Sequence, residues 1–181
     1  MIDSDMRHAA VYYLGLADLV EARLASSGDY IYSVKALDAA WQWVEHQDIS
    51  GDALADLFYD EDGFGVGASM AIERNKDLLP VWGCVSTGLC FAARAASLAE
   101  GQTYTRDDID AVDSPEARAE FSAWFASLIP VKSVLEHYQA GLSVLRLQSV
   151  TRSAVRDCAF AALHSAALEA VAPEPDPESG Q

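Results

Sequence analysis

Apolar residues recur at steps of three and four along almost the whole chain, and no run of alternating β-branched residues competes with them. The pattern predicts an all-α protein. The first helix runs from a Ser4 cap to Ser27, with Ala10, Leu14, Ala17, Val20 and Leu24 on one face and Gly28 just past its end. A second, from about Ser33 to Gln47, aligns Val34, Leu37, Trp41 and Val44 and leaves Lys35, Asp38 and Glu45 to solvent. Ser50 caps a short helix carrying Leu54, Leu57 and Phe58, which gives way to the loop Asp60-Glu61-Asp62-Gly63-Phe64-Gly65-Val66-Gly67.

A further helix is expected from about Ala68 to Asp77. Pro80 fits the first turn of a long apolar helix ending near Gly101, in which Gly83, Gly88, Ala92, Ala93, Ala95 and Ala96 let neighbours approach closely. That segment is the expected centre of the bundle. After a polar stretch from Gln102 to Asp113, Ser114-Pro115-Glu116 combines a cap, a first-turn proline and a first-turn acid. The helix it opens has the face Ala117, Phe121, Trp124, Phe125 and Leu128. Pro130 begins another, with Val134, Leu135, Tyr138, Leu142 and Leu145 in register, and a last one spans about Ser149 to Val171. Periodicity alone leaves open whether these two are continuous. The expected architecture is a single-domain bundle of about seven or eight helices over residues 1–171, and the alternating proline and acid of residues 172–181 read as a disordered tail.

With 181 residues and 51% hydrophobic composition, the chain has the material for one ordinary core. Its formal charge of −16 bears on partners: nucleic acid and anionic membrane are disfavoured, because both demand a lysine and arginine surplus. The start, Met1-Ile2-Asp3-Ser4-Asp5-Met6-Arg7, is not a secretory signal, so a cytoplasmic location is expected. Leu78 to Ala93 is uncharged for 16 residues but includes Pro80, and it reads as a buried helix rather than a membrane span. Cys84, Cys90 and Cys158 stand in apolar sequence, as buried free thiols do.

Catalytic and metal-binding patterns are mostly missing. His8, His46, His137 and His164 form neither HExxH nor ExxH, and the Asp5-to-His8 spacing is better explained by Asp5 as a first-turn acid. Setting Gly63 at the sixth position of a calcium loop puts Phe58 first and Ser69 twelfth, where oxygen ligands and a glutamate belong. No lysine follows Gly63, Gly65 and Gly67 to make a phosphate loop, and no nucleophile elbow occurs. The expectation is therefore no cofactor, no metal and no catalytic residue. A rival enzyme reading would need residues distant in sequence, such as His137 with Glu100.

The acids are concentrated. From Ala36 to Glu73 there are nine (Asp38, Glu45, Asp48, Asp52, Asp56, Asp60, Glu61, Asp62, Glu73) and no lysine or arginine, so this stretch is expected to form one anionic patch. Asp48, Asp52, Asp56 and Asp60 recur every four residues and would share a helix face. One reading is a merely solubilising surface; the other is docking of a basic protein, whose association such charge would accelerate.

The segments Lys35-Ala36-Leu37-Asp38-Ala39-Ala40-Trp41-Gln42-Trp43, Ile49-Ser50-Gly51-Asp52-Ala53-Leu54 and Leu79-Pro80-Val81-Trp82 resemble an all-α immunity-protein family of bacterial polymorphic toxin systems, the sixth in the usual numbering. The resemblance covers roughly residues 33–130. It implies a cytosolic protein, encoded beside a secreted toxin, that binds the toxin and protects the producing cell; it brings no catalytic or ligand residues. The candidate contacts for a cognate basic toxin are Asp48, Asp52, Asp56, Asp60, Glu61 and Asp62. Trp41 and Trp82 fall on apolar faces. Trp43, offset from the stripe of its helix, fits the core better but would also serve as a partner hot spot. The alternative is an acidic helical adaptor acting on an endogenous basic partner.

Overall fold

Between Leu79 and Ala99 the only charged residue is Arg94, so a helix built from this segment has no polar face and must be surrounded. The computed structural model describes residues 2–102, 106–129, 133–145 and 149–171, and all its regular elements are helical. In chain order these are α1 (Ile2–Val20), continued by a 3₁₀ turn (Glu21–Ser26), α2 (Tyr30–His46), α3 (Gly51–Phe58), α4 (Val66–Ile72) and α5 (Leu79–Ala99). There follow α6 (Asp107–Asp110) with a 3₁₀ turn (Ala111–Asp113), α7 (Pro115–Leu128), α8 (Ser133–Ser143) and α9 (Arg152–Val171). Helices α1, α2, α3, α4, α6 and α7 all pack on α5, the expected centre. By length and composition α5 could cross a membrane, yet 83% of its most apolar window is buried inside the bundle.

The small residues of α5 set how closely its neighbours come. A methyl at Gly83 would fall 2.3 Å from Trp124 Cε3 of α7, and one at Gly88 would press on Leu14 of α1. Around this spine Tyr13 stacks on Phe91 at 4.3 Å and meets Phe121 edge-on at 4.6 Å, joining α1, α5 and α7 through aromatic contacts. Cys84 and Cys90 are buried and Cys158 half-buried, none of the three in a disulfide, with burial pushing the Cys84 thiol up to about 12. Gly101, in the left-handed region at φ 81°, ends α5 and lets Gln102 N donate to Ser97 O.

Several boundaries move. α1 is already helical at Ile2, which places Ser4 inside its first turn rather than at its cap. α2 starts at Tyr30, because Ser33 is buried and donates to Tyr30 O and Glu21 Oε1 instead of capping. α4 is confined to Val66–Ile72, since Glu73 turns extended. The acidic stretch before Ser114 holds α6, pinned by buried Ile109 and Val112 and by an Arg94–Asp110 ion pair at 2.6 Å. Ser50 and Ser114 cap as expected, each accepting from the backbone N–H three residues on at 3.1 Å. α8 and α9 are two helices. Pro130 and the tail at 172–181 lie outside the described residues.

The α8–α9 pair joins the body mainly through α1. Tyr138 Oη donates to Tyr12 O at 3.2 Å over Gly15, where any Cβ would collide with that hydroxyl and with Val155. A similar close approach governs the α3–α5 crossing. An added Cβ at Gly51 would lie 2.7 Å from Ser97 N and 2.8 Å from its Cα, backbone atoms that cannot step aside. Gly51→Ala is therefore expected to cost about 1–2 kcal/mol, read as a lower urea midpoint at unchanged slope. An unshifted midpoint would show that the two helices have slack.

Candidate functional site

The candidate face begins where α3 is fixed to the core. Ser50 stands extended as the N-cap, Gly51 N donates to the Glu100 carboxylate at 3.3 Å, and Leu54 and Ala55 bury against α5. With that side committed, Asp52, Ala53 and Asp56 point outward. Tyr59 then turns extended and the chain closes a tight loop: Asp60 N donates to Phe64 O, Asp60 Oδ1 accepts from Phe64 N at 2.7 Å, and Gly63 N donates to Asp60 O. Two glycines allow this return. Gly63 and Gly65 have φ of 79° and 126°, and a Cβ at Gly65 would strike the Phe58 carbonyl oxygen at 2.6 Å. Glu61 and Asp62 are thereby held exposed at the tip.

The four-residue row of aspartates does not form. An eight-residue α3 carries only Asp52 and Asp56. Asp48 precedes the cap and accepts from Gln42 Nε2 at 3.1 Å, while Asp60 is spent on the loop. Asp56 is neutralised by Arg106, whose other terminal nitrogen donates to Tyr59 O. Nor is the acidic stretch from Ala36 to Glu73 one patch. Asp38 and Glu45 face α9, binding the Arg152 side chain and backbone N–H respectively. Glu73 faces inward, with its carboxyl held below the usual range first by the Asn75 N–H, against burial, and further by Trp82 and Ser27. Of the six candidate carboxylates, Asp52, Glu61 and Asp62 are exposed and take part in neither a side-chain hydrogen bond nor an ion pair among the described residues.

Trp43 is not on this face. It is 3% exposed and belongs to the core with Trp41 and Trp82, because the α2 surface that carries it is enclosed as well as the main stripe. The His137 and Glu100 pairing is likewise not assembled: His137 Nε2 lies 2.8 Å from Glu169 Oε1, and Glu100 is occupied at the start of α3. Among the described residues no three histidine, cysteine or carboxylate side chains converge as a metal site.

Periodicity missed the apolar side of the face. Tyr32, Tyr59, Phe64 and Ile72 line an open cleft of about 230 Å³, with Asp29 at its edge. The only signal in the chain was two aromatics, Tyr59 and Phe64, bracketing a loop of acids and glycines where no helix face could claim them.

The model of a family described as immunity protein Imm6 matches residues 8–128, which is α1 from its second turn through the end of α7. No curated protein and no solved structure matches. The match takes in more than half of the chain and every helix packed on α5, and the chain belongs to the Imm6 immunity protein family.

Proposed function

We propose that this protein neutralises a toxin by stoichiometric binding in the cytoplasm of the producing cell, through the face formed by α3 and the loop after it. Family membership supplies the toxin partner as a class. The observation that favours this face is the set of exposed carboxylates at Asp52, Glu61 and Asp62, presented by a capped helix and a closed loop on a chain of net charge −16. These acids point to a basic toxin. Their contribution is mainly to encounter: a cationic partner is steered inward, and the gain fades as salt screens it. Inhibition by occlusion needs no catalytic group of the inhibitor's own.

Protection is tested by co-expressing the chain with the toxin encoded beside its gene. Growth should be rescued, and the two proteins should elute together one to one. Replacing Asp52, Glu61 and Asp62 with Lys leaves the structural carboxylates Asp56 and Asp60 untouched. The triple variant is expected to associate about tenfold more slowly at low salt and to lose most of its salt dependence, by stopped-flow or surface-based kinetics. An unchanged association rate would move the toxin to another surface.

A further inference from the structure

Three elements bring large apolar side chains to one place on the surface without burying them. Phe64 is 55% exposed, Ile72 70% and Tyr59 44%, and Tyr32 of α2 completes the cleft floor between them. Hydrophobic burial, the dominant gain in folding, is largely forgone at Phe64, Ile72 and Tyr59, while Tyr32 is half-buried beside them. Neither is the arrangement loose: the Asp60–Phe64 hydrogen bonds and the Gly65 turn hold Phe64 outward before any partner arrives, which lowers the ordering cost of binding.

The cleft's surroundings identify what it takes. Asp29 lines it, Glu61 and Asp62 lie in the loop between Tyr59 and Phe64, and no lysine or arginine is among its lining residues. A volume of about 230 Å³ falls below the ~300 Å³ at which cofactor and small-molecule pockets begin, and suits one large side chain. The larger groove between α1, α7 and α8 differs, being lined by His8 and Arg118 with no carboxylate. We infer that the cleft of Tyr32, Tyr59, Phe64 and Ile72 is the anchor site of the toxin complex, taking a large apolar side chain from a segment whose flanking lysines or arginines meet Asp29, Glu61 and Asp62.

This inference rests on the toxin-binding reading and adds the affinity that the rim charges do not supply. Rim carboxylates remain hydrated and act on encounter, whereas an apolar anchor in a desolvated pocket governs escape. Roles therefore divide by kinetic step: the acids set the association rate and the cleft sets the dissociation rate.

The test titrates the full chain with an inactivated form of the toxin domain encoded beside its gene. Phe64→Ser with Ile72→Ser should weaken binding roughly 30-fold, chiefly through faster dissociation. The α9 pair Phe160→Ser with Leu168→Ser, equally exposed but outside the cleft, should change affinity less than twofold. Because all four side chains are exposed, thermal unfolding of both double variants should match wild type. Ile72→Arg alone, at the most exposed of the four cleft residues, should weaken binding comparably by placing a cation in the apolar cleft, next to the toxin's flanking cations. Wild-type affinity in both the double cleft variant and Ile72→Arg, with toxin still bound, would overturn the cleft and leave the immunity reading standing. Failure of the wild-type chain to bind the toxin would overturn both.

Discussion

Trp82→Ala is expected to cost about 4 kcal/mol of stability, within the range for emptying a fully buried aromatic site. Trp82 is 0% exposed on the central helix. Its Nε1 donates to Glu73 Oε2 at 3.2 Å, and the same carboxylate accepts from Ser27 Oγ at 3.2 Å and Asn75 N at 2.9 Å. Loss of the ring thus opens a cavity and also removes a donor from the carboxylate that joins the end of α4 to α5 and to the turn after α1. Against a total of about 5–15 kcal/mol this is a large fraction, and the melting temperature should fall by about 10 °C. Trp82→Phe, which keeps most of the volume but loses the donor, should cost about 1–2 kcal/mol. Urea unfolding separates the two; a loss under about 2 kcal/mol for the alanine variant would show that the site collapses to fill itself.

Glu73 adds a pH dependence to the same junction. Its native pKa lies below the ordinary value of 4.5, so its contribution is complete above that value and is lost as pH falls through the lower native one. Glu73→Gln should flatten stability across this acidic window and leave its shape near neutrality unchanged.

Periodicity captured what depends on contacts near in sequence. The absence of any polar face between Leu79 and Arg94 marked α5 as central, and the serine caps at Ser50 and Ser114 located α3 and α7 because a cap is satisfied within three residues. The acidic stretch resisted the same reading, since what an aspartate does depends on which cation reaches it. Arg106 reaches Asp56 across 50 positions and Arg152 reaches Asp38 across 114, so one run of like charge became a helix dock, a loop closure and a free rim. α6 was hidden in turn by its acids, because one buried isoleucine and one buried valine are too few to show a period. The cleft was invisible for the opposite reason: its side chains come from α2, the loop and α4, are far apart in sequence, and are mostly left exposed rather than claimed by a helix face.

Arg152→Ala should lose about 3 kcal/mol, the lower end for breaking a buried ion pair, because the arginine keeps 28% of its side chain exposed. Its Nε and Nη2 grip Asp18 at 3.0 and 2.7 Å, Nη1 reaches Asp38 at 2.5 Å, and its backbone N–H donates to Glu45 at 2.7 Å. Burial lowers the guanidinium pKa, and Asp18 and Asp38 more than reverse that. A native value raised above that of the unfolded chain keeps the lock complete at every pH below the latter, so the loss should be the same from pH 6 to 9. The decisive side chain is Asp18, only 4% exposed, which the mutation leaves buried and unpaired. Asp18→Asn should therefore recover part of the loss in the Arg152→Ala background while destabilising the wild type, a coupling that a simple cavity would not produce. The damage should also be local. The α9 face buried by Val155, Ala159, Ala162 and Ala166 is mostly alanine, so α9 owes much of its docking to this lock. Amide exchange should accelerate in α8 and α9 before α5 loses protection. Uniform acceleration through α5 would instead make α8 and α9 part of the same cooperative unit as the family-matched body, although they lie beyond residue 128.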